Sequence, residues 1–192
     1  TGFKRCGSIT VALTEERKEE IFRQAAMARA FGVDVEEISP AEVKAKYEHL
    51  NIEGVTGCVW LPLDGQGDPA NIALALAKGA GQLGDQVIER TNAMGVTRQG
   101  RRITSVKWEN EQGESSSIDC ENVINCGGMW GHEVGRMLGV NVPLHACEHF
   151  YIVTDDIGLP STLPVMRDPS RWIYAKEDAG KMLVGCFEPK SK

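Results

Sequence analysis

The stretch Glu121–Gly139, ENVINCGGMWGHEVGRMLG, sets how the rest of the chain is read. It opens on the β-branched pair Val123-Ile124, which predicts a short buried strand. It breaks at Gly127-Gly128. It then resumes with Trp130, Val134, Met137 and Leu138 at roughly helical spacing, and Gly139 is the expected stop. A strand, a glycine turn and a helix bring backbone N–H groups and the positive end of a helix dipole to one point, which suits a phosphate. Small residues at such a turn serve equally for plain strand-to-helix packing. A short glycine motif by itself does not choose between the two.

Working outward, strands are expected at Gln86–Arg90, around Val96 and at Ile103–Trp108, with turns at Gly100 and Glu111–Gly113, and Ser115–Asp119 leads back to the Val123 strand. Downstream, Leu144–Thr154 reads as one long strand. A proline-rich loop to Pro164 follows, then strands at Trp172–Ala175 and Met182–Phe187 around a turn at Asp178–Gly180. Upstream, Gly7–Leu13 is a strand and Glu15–Phe31 a helix with Ile21, Ala25, Ala28 and Phe31 on one side. Thr14 caps it, with Arg17 where a capping box wants Glu or Gln, and Gly32 ends it. Val33–Ile38 is a short strand. Ser39 caps a second helix with Pro40 at its first position, carrying Val43 and Tyr47 to near Leu50. Val55–Leu63 is a strand, a turn spans Asp64–Pro69, and Asp68 caps a helix from Ala70 to Leu83. The fold class is therefore mixed, α/β or α+β.

The 192 residues suffice for one large domain or two small ones. The net charge of −6, without a basic block, argues against nucleic acid and anionic membrane as partners. No apolar run approaches membrane-spanning length. Cys6, Cys58, Cys120, Cys126, Cys147 and Cys186 are scattered without a CxxC pair. They read as reduced thiols of a cytoplasmic protein, or of a mitochondrial matrix protein if the source is eukaryotic.

Two motifs compete with the glycine turn. Gly79-Ala80-Gly81-Gln82-Leu83-Gly84 spells G-x-G-x-x-G, but a helical run precedes it where a dinucleotide site needs a strand. These glycines are expected to let a helix end pack closely. In His145-Ala146-Cys147-Glu148-His149-Phe150-Tyr151, a strand would place His145, Cys147, His149 and Tyr151 on one face. Zinc is one reading. Three ligands from one strand are strained and no second cluster completes a tetrahedron, so no metal is expected. A hydrogen-bonded structural histidine beside a tyrosine is the plainer alternative.

Several stretches together resemble the dimethylglycine and sarcosine dehydrogenase group of the D-amino-acid-oxidase-like flavoproteins. They are Thr1-Gly2-Phe3 with Cys6–Ile9, Ala25–Gly32, Leu63–Asn71, Ala77–Gly84, Val123–Gly131 and Glu148–Tyr151. The resemblance covers essentially the whole chain. It implies a two-lobed FAD-dependent oxidoreductase of which this chain is the central fragment. Residues 1–62 and 140–192 would form an antiparallel-sheet substrate lobe, and residues 63–139 part of the FAD-binding lobe. It implies FAD held by Cys126, Gly127, Gly128, Trp130 and Gly131 at the pyrophosphate and by the backbone of Ala93 at the adenine. It implies His149 and Tyr174 as the active-site pair, with Phe150 where the family commonly has glutamine.

The implied reaction is oxidation of an N-methylated amino acid, of dimethylglycine or sarcosine type, by hydride transfer to flavin. Histidine takes a proton near neutral pH and a tyrosine hydroxyl can orient it. Tetrahydrofolate is an implied partner through a carboxy-terminal module. The ends of the chain read as cut, and this segment alone is expected not to hold FAD stoichiometrically. The competing class is a non-catalytic regulatory or binding module, like the phosphatase-regulatory relatives of these dehydrogenases. A metal-dependent hydrolase comes third, separable by metal analysis.

Overall fold

The structure is a computed structural model that describes residues 2–188 and 190. In chain order the elements are β1 (Phe3–Arg5), β2 (Ser8–Ala12), α1 (Glu15–Ala30), β3 (Glu36–Ile38), α2 (Pro40–Lys46), β4 (Gly57–Leu61), β5 (Gly65–Gly67), α3 (Pro69–Gln82), β6 (Thr91–Gln99), β7 (Arg102–Asn110), β8 (Ser115–Asp119), a 3₁₀ turn (Gly128–Trp130), α4 (Gly131–Met137), β9 (Phe150–Val153), β10 (Val165–Asp168), β11 (Ile173–Asp178) and β12 (Lys181–Cys186). The chain divides into two compact units, residues 1–76 with 148–192, and residues 77–147.

Local chemistry sets the helix ends of the first unit. Thr14 Oγ1 accepts from the Arg17 N–H, and Glu15 and Glu16 sit in the first turn of α1, where the dipole favours them. Gly32, at φ +79°, ends α1 with its N–H on Arg29 and the Val33 N–H on Ala28. At α2 the cap is a full capping box: the Glu42 N–H donates to Ser39 Oγ while the Ser39 N–H donates to the Glu42 carboxylate. This helix stops at Lys46, short of the expected Leu50, because Tyr47 turns inward and is 2% exposed.

The sheet of this unit runs β3-β4-β2-β10-β11-β12-β9. Every pairing is antiparallel except β2 with β10. Strand alternation gives it two faces. One carries Ile9, Val11, Ile38, Cys58, Met166 and Ala175, sealed by Val43 of α2, by Tyr47 just after it and by Leu159 and Leu163. On the other face, Ala12 and Val59 pack against Ile21 and Ala25 of α1, with Val35 beside them. Each fully buried aliphatic side chain here contributes roughly 1.5–3 kcal/mol by leaving water. Burial pushes the Tyr47 hydroxyl up to about 12 and the Cys58 thiol up to about 11, so that Cys58 is unreactive. The Tyr47 hydroxyl donates to Met182 Sδ at 3.4 Å. Apart from this sheet, β1 pairs with β5, so part of the expected Asp64–Pro69 turn is strand. All six cysteines are free.

The second unit holds a three-stranded antiparallel sheet, β6-β7-β8, with bulges in β6 after Ala93 and after Thr97. Two expected strands are missing from it. Gln86–Arg90 and Val123–Ile124 are irregular, since neither finds a neighbour for its backbone among the described residues. α4 follows the glycine turn as expected and packs against β6. Gly139, at φ +64°, ends it with its N–H on Arg136. The glycines of Gly79–Gly84 do not mediate close packing: a Cβ at Gly79, Gly81 or Gly84 would meet nothing within 4 Å. Gly84 instead takes φ +98° at the end of α3, the usual helix-stop conformation. Among the described residues no helix is long and apolar enough to cross a membrane.

Candidate active site

The site grows from the hairpin β11–β12 and the edge strand β9. Asp178-Ala179-Gly180-Lys181 closes the hairpin, with Ala179 at φ +52° and Gly180 at φ +83°, the paired positive angles of a tight two-residue turn. At the other end of β11 the buried Asp168 fixes the entry: its Oδ1 accepts from the Ser170 and Arg171 N–H groups at 3.0 and 3.1 Å. The Phe187 N–H donates to the Trp172 carbonyl at 2.9 Å and ties the end of β12 to the start of β11. In register, Tyr174 stands opposite Gly185, and Gly185 opposite Tyr151. Directly paired residues share a face, so Tyr174 and Tyr151 rise from the same side, flanking a bare glycine.

That glycine is required. A Cβ at Gly185 would lie 2.2–2.5 Å from Cζ, Oη and Cε1 of Tyr174, so the tyrosine ring lies on the backbone of β12. There it reaches His149, one residue before β9. His149 Nε2 and Tyr174 Oη are hydrogen-bonded at 2.9 Å. Phe187 stacks on the imidazole at 4.8 Å between ring centres and 28° between planes. Glu188 Oε2 lies 4.0 Å from His149 Nδ1. Burial first, then the charges of Tyr151, Cys186 and Glu188, hold the Tyr174 hydroxyl above the ordinary tyrosine range. It therefore stays protonated through neutral pH. The face is open rather than enclosed: the His149 side chain is 36% exposed and Tyr151 59%.

The expectation of one long strand from Leu144 to Thr154 is corrected here. Only Phe150–Val153 is strand, because β12 offers a partner only from Cys186 back to Leu183. His145 and Cys147 lie in irregular chain before it, so they do not share a strand face with His149 and Tyr151. No group of three or more His, Cys, Asp or Glu gathers at metal-binding spacing among the described residues. Phe150 lies on the face opposite Tyr151.

The cofactor candidates all lie in the second unit. Cys126–Gly131 forms one continuous turn. Asn125 organises it, accepting the Gly127 N–H at 3.0 Å and donating to the Gly131 carbonyl at 2.9 Å. A Cβ at Gly127 would press on Asn125 Oδ1 and Val134 Cγ2, both at 3.1 Å, whereas Gly128 takes φ +54° with open space around it. Cys126, Met129 and Trp130 are exposed beside this bare turn. Ala93 stands apart in the chain, exposed on β6 at the first bulge. Sequence reading missed Asn125, Gly185, Phe187 and Glu188. A glycine inside an otherwise apolar strand was the available signal for Gly185, since it marks close approach of another group.

The mixed sheet of the first unit, and the glycine turn opening a short helix in the second, give a mixed α/β fold of the kind found in FAD-dependent oxidoreductases. The chain belongs to the DAO family of FAD-dependent oxidoreductases, whose family model matches residues 1–191. Within that family its relatives include the sarcosine and dimethylglycine dehydrogenases that the sequence resembles. It is 35% identical to sarcosine dehydrogenase of Mus musculus, a mitochondrial protein, over 98% of this chain and 20% of the relative. It is also 35% identical to the mitochondrial pyruvate dehydrogenase phosphatase regulatory subunit of Mus musculus, over 100% of this chain and 22% of the relative. The fold matches the crystal structure of L-proline dehydrogenase from P. horikoshii with a TM-score of 0.83 at 24% identity, covering 97% of this chain and 50% of the other. The chain thus spans about a fifth of the length of these two curated relatives.

Proposed function

We propose that the chain is the central segment of an FAD-dependent oxidoreductase that oxidises an N-methylated amino acid of the dimethylglycine or sarcosine type. The observation that carries this reading is the 2.9 Å hydrogen bond between His149 and Tyr174 on an open sheet face. A division into two compact units supports a two-part plan, one part for the substrate and one for the cofactor, although residues 63–76 fall with the first unit and 140–147 with the second rather than at the expected boundaries of 62/63 and 139/140. The bare turn Cys126–Gly131, with no side chain at Gly127 or Gly128 and Trp130 exposed beside it, fits a large anionic, flat group. Cys126, Gly127, Gly128, Trp130 and Gly131 would hold FAD there, with the Gly127 N–H already engaged by Asn125, and Ala93 would meet the adenine through its backbone.

Bound flavin supplies the hydride acceptor. The chain's own residues handle the proton. An ammonium has no lone pair to assist loss of hydride from the neighbouring carbon, so the amine must first be neutral. Tyr174 Oη can accept that proton while passing its own to His149 Nε2. The stacked Phe187 keeps the imidazole in the plane that this transfer needs.

The test uses the full-length protein loaded with FAD, mixed anaerobically with sarcosine or dimethylglycine. Bleaching of the visible flavin absorbance is expected. His149→Ala should slow it by roughly 10²–10⁴-fold, as for loss of a positioned proton-transfer group, with flavin content unchanged. A second reading has its own support. The 35% identity to a phosphatase regulatory subunit across the whole chain favours a non-catalytic regulatory module. Flavin that stays oxidised with every N-methyl amino acid offered would move the assignment there.

A further inference from the structure

We propose that Glu188 is a positioning residue for His149, setting which ring nitrogen carries the proton and so the direction of the hydrogen bond to Tyr174. This rests on His149 and Tyr174 being the proton-handling pair.

The strand end that supplies Glu188 also supplies Phe187. Phe187 stacks on the imidazole at 4.8 Å and holds the ring so that its two nitrogens face different groups. Nε2 meets Tyr174 Oη at 2.9 Å, and Nδ1 faces Glu188 Oε2 at 4.0 Å. An ionised carboxylate only accepts, and a neutral imidazole carries one N–H. With the carboxylate on the Nδ1 side, the proton belongs on Nδ1 and Nε2 is left as a bare acceptor. Tyr174 must then donate its O–H to Nε2. Its oxygen lone pairs are left to accept a proton from an ammonium group.

The 4.0 Å separation exceeds hydrogen-bond reach, so at rest Glu188 acts through its charge. Both side chains are about one-third exposed, at 36% and 32%, and can close on each other, as catalytic contacts commonly do once substrate is bound. Among the described residues, the groups whose charges act on Tyr174 are Tyr151 from β9, Cys186 at the end of β12 and Glu188 just beyond it. Of these, Glu188 is the one at Nδ1. Its charge also opposes ionisation of Tyr174, after burial and alongside Tyr151 and Cys186.

The experiment is nitrogen NMR of the ¹⁵N-histidine-labelled chain, with the His149 signals assigned by their loss in His149→Gln. The native ring should be the Nδ1–H form. Glu188→Ala should turn it over to mainly the Nε2–H form and let Tyr174 ionise at lower pH. Glu188→Gln keeps an acceptor but no charge. Because Glu188 acts through its charge at rest, this variant should shift toward the Nε2–H form as Glu188→Ala does, with Tyr174 again ionising at lower pH. A merely structural Glu188 would move neither signal in a variant that keeps the native fold by circular dichroism. A native Nε2–H ring, or an unchanged tautomer in Glu188→Ala, overturns the proposal. None of these readouts uses turnover, so an inactive full-length enzyme would sink the functional reading without touching this one.

Discussion

The two halves of the large sheet differ in what covers them. Around β3, β4 and β2 both faces are sealed, one by α1 and the other by α2 and the Leu159–Leu163 segment. Around β10 and β11 one face is sealed through Met166 and Ala175, although that face opens again at Phe150 and Ile152 of β9, while the other presents Tyr151, Tyr174 and His149 beside the exposed Phe187. The same alternation that buries Ile9 and Val11 carries Arg167 and Tyr174 across to the open side. Stability is concentrated in the first half and the candidate chemistry in the second.

The strongest way to break this contrast is Ile9→Ala. Ile9 is fully buried at the centre of the larger cluster, and its truncation should cost roughly 2–5 kcal/mol. Urea unfolding should show that loss, while turnover per folded molecule of the full-length enzyme holds. A fall in turnover as large as the fall in stability would mean that the halves are not separable.

Gly185→Ala probes the other side. The added methyl meets the free end of a tyrosine ring, which can swing away, so stability should change by less than about 1 kcal/mol. The swing takes the Tyr174 hydroxyl off His149. A misplacement of about 1 Å can cost roughly 10²-fold in turnover, and that is the expected loss. Unchanged turnover in a folded Gly185→Ala protein would show that the position of Tyr174 does not matter.

The third probe is smaller and depends on pH. Glu177 is buried, which raises its pKa. Lys4 and the Gly180 and Ala179 N–H groups outweigh that and hold it below the ordinary 4.5. The stabilisation is therefore complete above the unfolded carboxylate range and is lost as pH falls through the lower folded value. Lys4→Met strands the carboxylate. The loss at neutral pH should be about 1–3 kcal/mol, less than for a fully buried pair because the Lys4 side chain is 42% exposed. Melting at pH 7 and again below the carboxylate range should show the deficit shrinking on acidification. A deficit independent of pH would assign the effect of Lys4 to packing.

Much of this architecture could be read from local chemistry. Ser39-Pro40 marked the start of α2, Gly32 the end of α1, and Asp178–Gly180 the hairpin, because caps and turns are decided by a few adjacent residues. The misreadings fell where a distant partner decides. Val123-Ile124 has strand composition but no neighbouring strand among the described residues, and Leu144–His149 outruns the pairing that β12 offers. The pairing of His149 with Tyr174 came from family resemblance, since 25 residues separate them and no periodicity links them. Gly185, Phe187 and Glu188 stayed hidden because a glycine floor, a stacked ring and a carboxylate acquire meaning only from what lies across the strand.

The parallel pairing of β2 with β10 has a consequence for the chain as it is made. Thr10 pairs with Arg167, so about 155 residues of synthesis separate the two sides of this seam. At about 5–20 residues per second the ribosome needs roughly 8–30 s to cross that distance. During that interval β4 can protect one edge of β2, while the other edge stands unpaired and open to any passing strand. Until β10 arrives, that unpaired edge is a template for aggregation. A ribosome stalled before Val165 should leave a product that aggregates, and one stalled well after Cys186 should not.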